Sequence, residues 1–204
     1  ANADGTLSRY EVGGSAFNSL NCQGNGDNAV CYGPCANAYG GNTTAIGAGA
    51  TAANYSIGSG AGADFGSTAL GAGANASGAN SAALGRNANA NGIGALASGY
   101  NSIASGHYST AVGWKANANG IHSTALGEQA SASNYGSTAV GVIATAIGAN
   151  SIALGSYALA NSAGGASTAV GHQAKALGAS STSVGNSSRA NSQGSIAIGH
   201  LANA

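Results

Sequence analysis

Small apolar and small polar residues alternate along most of this chain, in short runs separated by glycine. The clearest unit is S-[TI]-A-[VLI]-G-x-x-A-x-A, followed by about four residues rich in Gly, Asn and Ser. Alternation with a two-residue period predicts strands, and a unit this short cannot hold a helical hairpin. Each unit therefore predicts two short strands and two turns.

The unit recurs at a spacing close to 14 residues from Leu70 onward. We take the aliphatic residue before each glycine, or before the residue that replaces it, as the anchor. The anchors are then Val30, Ile46, Ile57, Leu70, Leu84, Leu96, Val112, Leu126, Val140, Leu154, Val170, Val184 and Ile198. In this assignment Ala97 stands where glycine is expected. A repeat of this length predicts a β-solenoid whose coils stack through parallel ladders about 4.8 Å apart.

The two strands of each unit differ in their faces. In A-x-A the alanines predict a buried face, and the middle residue predicts a solvated one, as at Asn75, Asn89, Asn117, Ser131, Thr145, Lys175 and Arg189. In S-[TI]-A-[VLI]-G neither face carries a charge in any well-formed copy. A single roll covers only its inner face, so the outer face of this strand predicts contact with a second surface, most simply another copy of the chain.

Composition and charge narrow the picture further. The chain has 36 Gly, one Pro and 5% charged residues, which is unlike an ordinary globular domain. Residues 66–204 carry Arg86, Lys115, Lys175 and Arg189 against Glu128, a net charge of +3. This charge favours anionic partners but is too small for a nucleic-acid-binding protein.

The repeats NSIALGSYALA, GSTAVGHQAKA, GSIAIGHLANA and HSTALGEQASA are similar to the head repeats of trimeric autotransporter adhesins, the YadA-like or haemagglutinin-type repeats. The resemblance spans about residues 42–204. It implies an all-β fold, a left-handed parallel β-roll, assembled as a homotrimer. It also implies a place on the bacterial cell surface, held by an outer-membrane anchor that lies outside this chain, and a role in attachment.

Residues 1–41 depart from the repeat and contain all three cysteines and the one proline. We interpret this segment as an N-terminal cap or irregular coils, because the end of a solenoid needs a covering different from its middle. Cys22, Cys31 and Cys35 are disulfide candidates, with one thiol left over or an interchain bridge. A zinc site is less favoured, because no histidine precedes residue 107 to complete a ligand set.

The sequence predicts no enzyme and no cofactor. Five carboxylates are scattered over the chain, at Asp4, Glu11, Asp27, Asp64 and Glu128, and none forms the close pair that acid–base chemistry uses. The four histidines, at 107, 122, 172 and 200, are dispersed and are interpreted as solvated turn residues.

Binding is the better hypothesis, and the two positions after the anchor glycine hold most of the large or charged side chains of the repeats. The candidate ligand-binding residues there are Arg86, Trp114, Lys115, Tyr157, His172 and His200. Stacked in register, they predict a ladder along the solenoid. Repeats of the NSxAxG type are linked, in the family resembled, to collagen and other matrix proteins. NSIALG (150–155), with Ser151, is therefore a further candidate.

An alternative function is ice binding, because some β-solenoids display flat threonine ladders. A column of threonines recurs at 44, 68, 110, 124, 138, 168 and 182. It is a single column, interrupted by Ala82, Ile152 and Ile196, and it shares its face with aliphatic residues. Adhesion to matrix proteins or cell-surface receptors is therefore the preferred interpretation.

Overall fold

The structure is a computed structural model that describes residues 23–24, 30–39, 42–53, 66–162 and 165–204. Within these ranges it consists of strands and turns. The strands form two parallel sheets, and each successive strand of the chain belongs to the other sheet. The predicted all-β solenoid is therefore confirmed. Its left-handedness and the trimer stay predictions.

The bounds of the strands follow the repeat. The second sheet, named for its place in each coil, contains β1 (Gln23–Gly24), β3 (Asn37–Tyr39), β5 (Thr51–Ala53), β7 (Asn75–Ala76), β9 (Asn89–Ala90), β11 (Ile103–Ala104), β13 (Asn117–Ala118), β15 (Ser131–Ala132), β17 (Thr145–Ala146), β19 (Leu159–Ala160), β21 (Lys175–Ala176) and β23 (Arg189–Ala190). The first sheet contains β2 (Val30–Tyr32), β4 (Thr44–Ile46), β6 (Thr68–Leu70), β8 (Ala82–Leu84), β10 (Leu96–Ser98), β12 (Thr110–Val112), β14 (Thr124–Leu126), β16 (Thr138–Val140), β18 (Ile152–Leu154), β20 (Thr168–Val170), β22 (Thr182–Val184) and β24 (Ile196–Ile198).

Identical positions of successive units pair in register. Between β14 and β16, for example, Thr124 pairs with Thr138 and Leu126 with Val140, a step of 14 residues. Longer steps occur where β4 pairs with β6 and where β18 pairs with β20. The extra residues there lie mostly in 54–65 and at 163–164, outside the described residues.

The register corrects two predicted anchors. Leu96 pairs with Thr110, so it lies in the threonine column, and Ser98 occupies the anchor position beside Val112. Val30 likewise pairs with Thr44, which makes Tyr32 the anchor beside Ile46. Ile57, also a predicted anchor, lies outside the described residues. Leu96 and Val30 were misassigned because an aliphatic residue fits either outer column of this strand.

The interior of each coil is filled almost wholly by alanine. The central residue of the first-sheet strands is alanine except for Cys31 in β2 and Ser183 in β22, and it is fully buried at Ala125 and Ala139, as are the alanines of A-x-A at Ala116 and Ala118. Serine fills the position before most first-sheet strands, as at Ser123, with Thr43 before β4 and Ala95 before β10. These small side chains let the two sheets approach closely, so the coil is thin. The predicted inward-facing alanines are confirmed.

The two outer faces have opposite chemistry. Outside the first sheet stand Thr, Val, Leu and Ile, and several are well exposed in the single chain: Leu70 at 48%, Ile152 at 42% and Leu154 at 45%. Outside the second sheet stand mainly Asn, Ser, Thr and cations, and neighbouring coils are joined there by side-chain bonds. Asn75 Nδ2 donates to Asn89 Oδ1 at 3.3 Å, and Ser77 Oγ donates to Asn91 Oδ1 at 2.7 Å. The first sheet is thus the face that lacks a cover.

The described part of residues 1–41 is built of coils. Strands β2 and β3 continue both sheets toward the N-terminus, and β1 pairs with β3 through Gln23 and Asn37. A division of the chain into a segment 1–41 and head repeats 42–204 stays a prediction. No helix within the described ranges has the length and hydropathy that a membrane span requires.

Candidate functional site

The first turn of each coil, between a first-sheet strand and the next second-sheet strand, has one recurring geometry. In Gly127-Glu128-Gln129-Ala130 the glycine has φ +133° and Gln129 has φ +54°. The Ala130 amide donates to the Gly127 carbonyl at 3.3 Å, which closes the turn, and the Gln129 amide donates to the Trp114 carbonyl of the preceding coil at 2.8 Å. The middle two residues of the first turns therefore form two columns, whose side chains project outward wherever the residue is not glycine.

The structure places six of the predicted site residues in these two columns. Arg86, Trp114, His172 and His200 stand at the first outward position, and Lys115 and Tyr157 at the second. All six are exposed. The predicted ladder of exposed side chains is thus formed, and its role in binding stays a prediction.

Contacts within the columns pair cations with aromatic rings. The Arg86 guanidinium carbon lies 4.5 Å from the centroid of the Tyr100 ring, one coil away. Lys115 Nζ lies 4.4 Å from the centroid of the Trp114 ring. Such contacts stabilise the cation over the ring face by about 0.5–1 kcal/mol at exposed sites. They hold these long side chains against the turn surface, which leaves a ridge that is both aromatic and positively charged.

Ser151 lies elsewhere and requires a correction. Its side chain is fully buried, and Oγ donates to the Gly148 carbonyl at 2.6 Å. The residue before a first-sheet strand points into the coil because the following residue of the strand points out. Within NSIALG, Ile152 and Leu154 are the exposed side chains.

The two described cysteines are in different chemical states. Cys31, in β2, is disulfide-bonded, and Cys35 is a free, exposed thiol in the first turn that follows. Cys22 lies outside the described residues. Within the described ranges, no group of three His, Cys, Asp or Glu side chains is placed to hold a metal ion.

A second group of exposed rings lies at the opposite corner of the coil and was not predicted. Tyr108 and His122 stack with ring centroids 5.2 Å apart and planes 8° apart, and His122 meets Tyr135 edge to face at 5.8 Å. The preceding coil adds a bond from the Ile93 amide to His107 Nδ1 at 2.9 Å. The sequence did carry a signal, because Tyr108 and His122 are 14 residues apart in two copies of G-x-x-S.

A thin β-solenoid with an uncovered apolar sheet and ladders of exposed turn side chains defines a class of repeat proteins that work by presenting surfaces. The comparison with protein families gives the particular family. The model described as "YadA head domain repeat (2 copies)" matches residues 65–88, 90–116, 118–142, 132–158 and 162–188. These matches cover more than half of the chain, which belongs to the YadA head family, the head of trimeric autotransporter adhesins.

Among solved structures, the chain is similar to the crystal structure of the collagen-binding domain of the Yersinia adhesin YadA. The two are 28% identical over 81% of this chain and 70% of that one, with a TM-score of 0.36. No curated protein matches the chain. From its family, the chain has an adhesin-type function.

Proposed function

We propose that this chain is the non-catalytic head of a homotrimeric surface adhesin that attaches to host extracellular matrix proteins such as collagen, or to cell-surface receptors. The observation that carries the trimer is the outer face of the first sheet. Its aliphatic side chains repeat in nearly every coil, and in the single chain they remain half-buried or exposed.

Burying that face between copies supplies the missing stabilisation. A fully buried Val or Leu contributes about 1.5–3 kcal/mol, so a column of them over many coils amounts to a large interface. The second sheet has no comparable apolar column. The first sheet therefore faces the partner chains, and the second sheet faces solvent.

Attachment then gains from repetition. Both turn columns recur once per coil and, in a trimer, three times around the axis. Weak contacts engaged together bind far more strongly than any one of them when the geometry allows simultaneous engagement. The NSIALG motif supports a matrix ligand, because repeats of this type are linked to collagen in the family. An anchor outside this chain, in the outer membrane, would hold the head at the bacterial surface.

Light scattering at several dilutions tests the assembly. We expect a mass near three times 19.0 kDa that persists on dilution. Binding of the same sample to surfaces coated with native collagen, with other matrix proteins or with albumin then tests the ligand. A stable monomer, or equal binding to albumin, would contradict the proposal.

Trp114→Ala tests the first-turn columns as the contact surface, and Tyr135→Ala at the opposite corner is the matched control. Removing a central aromatic anchor commonly costs 2 kcal/mol or more of binding free energy. We therefore expect matrix binding to fall by at least about tenfold for Trp114→Ala, with both variants keeping the parent mass. Equal losses in the two variants would mean that the first turn has no special role.

A further inference from the structure

A shallow groove lies where the first turn meets the outer face of the second sheet, across three consecutive coils. It is open to solvent and has a volume of about 400 Å³. Its lining consists of Ile143, Thr145, Tyr157, Ala158, Leu159, Gln173 and Lys175. The groove therefore combines an aliphatic and aromatic floor with a hydroxyl, an amide and a cation.

A second cation extends the groove by one coil. Lys175 of β21 pairs in register with Arg189 of β23, so the two side chains leave the same face of the sheet about 4.8 Å apart. Both are exposed. The Arg189 Nε–H donates to Asn191 Oδ1, a bond that orients the guanidinium on this face.

No carboxylate side chain of the described residues lies close to this pair of cations. Glu128 is the one carboxylate side chain among the described residues, and it stands three coils from Lys175, about 14 Å at the coil spacing. Two like charges on adjacent strands are unfavourable by themselves, so an anion bound between them relieves their repulsion.

The aromatic member of the groove is held in place. Tyr157 is 47% exposed, and its ring meets the His172 ring edge to face with centroids 6.1 Å apart. Tyr157 and Leu159 both line the groove. A pre-positioned tyrosine of this kind supplies contact area at a low cost in conformational entropy.

The backbone around the groove offers nothing to an extended peptide. The Tyr157 amide donates to the Val142 carbonyl, the Leu159 amide to Ala174, and the Lys175 amide to Ser188, all within the solenoid. A peptide laid in the groove would find no strand edge to pair with and would leave its own backbone groups unpaired. A saccharide carries its polar groups as hydroxyls that can stay solvated while a ring face packs on tyrosine.

We propose that this groove, with Tyr157, Gln173, Lys175 and Arg189, is a binding site for a sulfated polysaccharide. The sulfate groups pair with Lys175 and the Arg189 fork, and a sugar ring packs on Tyr157. The site goes beyond the proposed attachment to matrix proteins. It lies outside the second sheet, so it stays accessible when the first sheet is covered by partner chains.

Calorimetry of the 204-residue chain with a short heparin-derived oligosaccharide tests the site. We expect saturable binding that Lys175→Gln/Arg189→Gln weakens at least tenfold. The matched control is Arg86→Gln/Lys115→Gln, which removes the same charge from the first-turn columns four or more coils away from Lys175 and should change the affinity less than threefold. Tyr157→Ala, which removes no charge, should weaken binding severalfold.

Other ligands test whether the groove recognises a sulfated sugar or any polyanion. The desulfated oligosaccharide should bind at least tenfold more weakly, and polyglutamate should not compete. Equal weakening by the two double variants, or equal binding of polyglutamate, would overturn the proposal. Each variant is checked for mass, and Lys175→Gln/Arg189→Gln, which lies outside the first-turn columns, should keep collagen binding, so loss of the oligosaccharide site alone is distinguished from failure of the adhesin head.

Discussion

The two sheets share one interior and present opposite exteriors. Inside, both contribute small side chains that are almost wholly buried, most of them alanine. Outside, the first sheet carries Thr, Val, Leu and Ile, while the second carries Asn, Ser, Lys and Arg. The fold of the coil thus depends on the face that the sheets have in common. Assembly and ligand binding depend on the faces in which they differ.

A charge placed on one outer face or the other tests most directly which sheet forms the interface. Val140→Glu puts an unpaired carboxylate on the half-buried outer face of β16, where burial against another chain costs several kcal/mol per charge. We expect the mass by light scattering to fall from three times 19.0 kDa to one. Ser131→Glu on β15 is the matched control and should keep the parent mass. An unchanged mass in both variants would mean that the first sheet is not the interface.

Glycine substitutions at the corner between the sheets test how closely the coils stack. A Cβ added at Gly127 would lie 2.5 Å from the carbonyl oxygen of Gly141 in the next coil, where the backbone has no room to move. We expect Gly127→Ala to lower the free energy of unfolding by about 3–5 kcal/mol. Gly49, also in a first turn, has φ +64° and open space around it. Gly49→Ala should cost only about 1–2 kcal/mol in urea unfolding, and equal losses would contradict the stacking argument.

The smallest expected effect concerns the coil in which serine replaces alanine on both sides of the interior. Ser183 of β22 and Ser188, just before β23, are buried with their Oγ atoms 2.7 Å apart, and Ser188 Oγ also donates to the Gly185 carbonyl. Ser188→Ala leaves the Ser183 hydroxyl without this partner, so we expect a loss of about 1–3 kcal/mol. Adding Ser183→Ala should recover most of it, because alanine fills both positions in other coils. A double variant that is less stable than Ser188→Ala would refute this account.

Sequence reasoning was most accurate where the interior limits the choice of residue. Only a small side chain fits between the sheets, and only glycine fits a corner stacked on the next backbone, so alanine and glycine recur at a readable period. The outer columns carry no such limit. Leu96 was assigned to the wrong one for that reason, and Ser98, which pairs in register with Val112, was overlooked.

The candidate site likewise has one part that the sequence predicts and one part that it does not. The first-turn columns followed from the position of glycine in the repeat, so Arg86, Trp114 and Tyr157 were expected to be exposed, and they are. The groove beside Tyr157 was not predicted as a unit. Its members come from three coils and from both a turn and a strand, and their proximity depends on how the coils stack.

The sequence by itself determined the period, the alternation of inward and outward residues and the family, because each depends on the identity of residues at a regular spacing. The tertiary structure alone decided which strands pair across the long steps, that Ser151 points inward, and that Tyr108, His122 and Tyr135 meet at one corner. Each of these depends on the register between coils. The packing of the interior alanines and the corner glycines sets this register. Those residues lie away from the side chains that the register brings together.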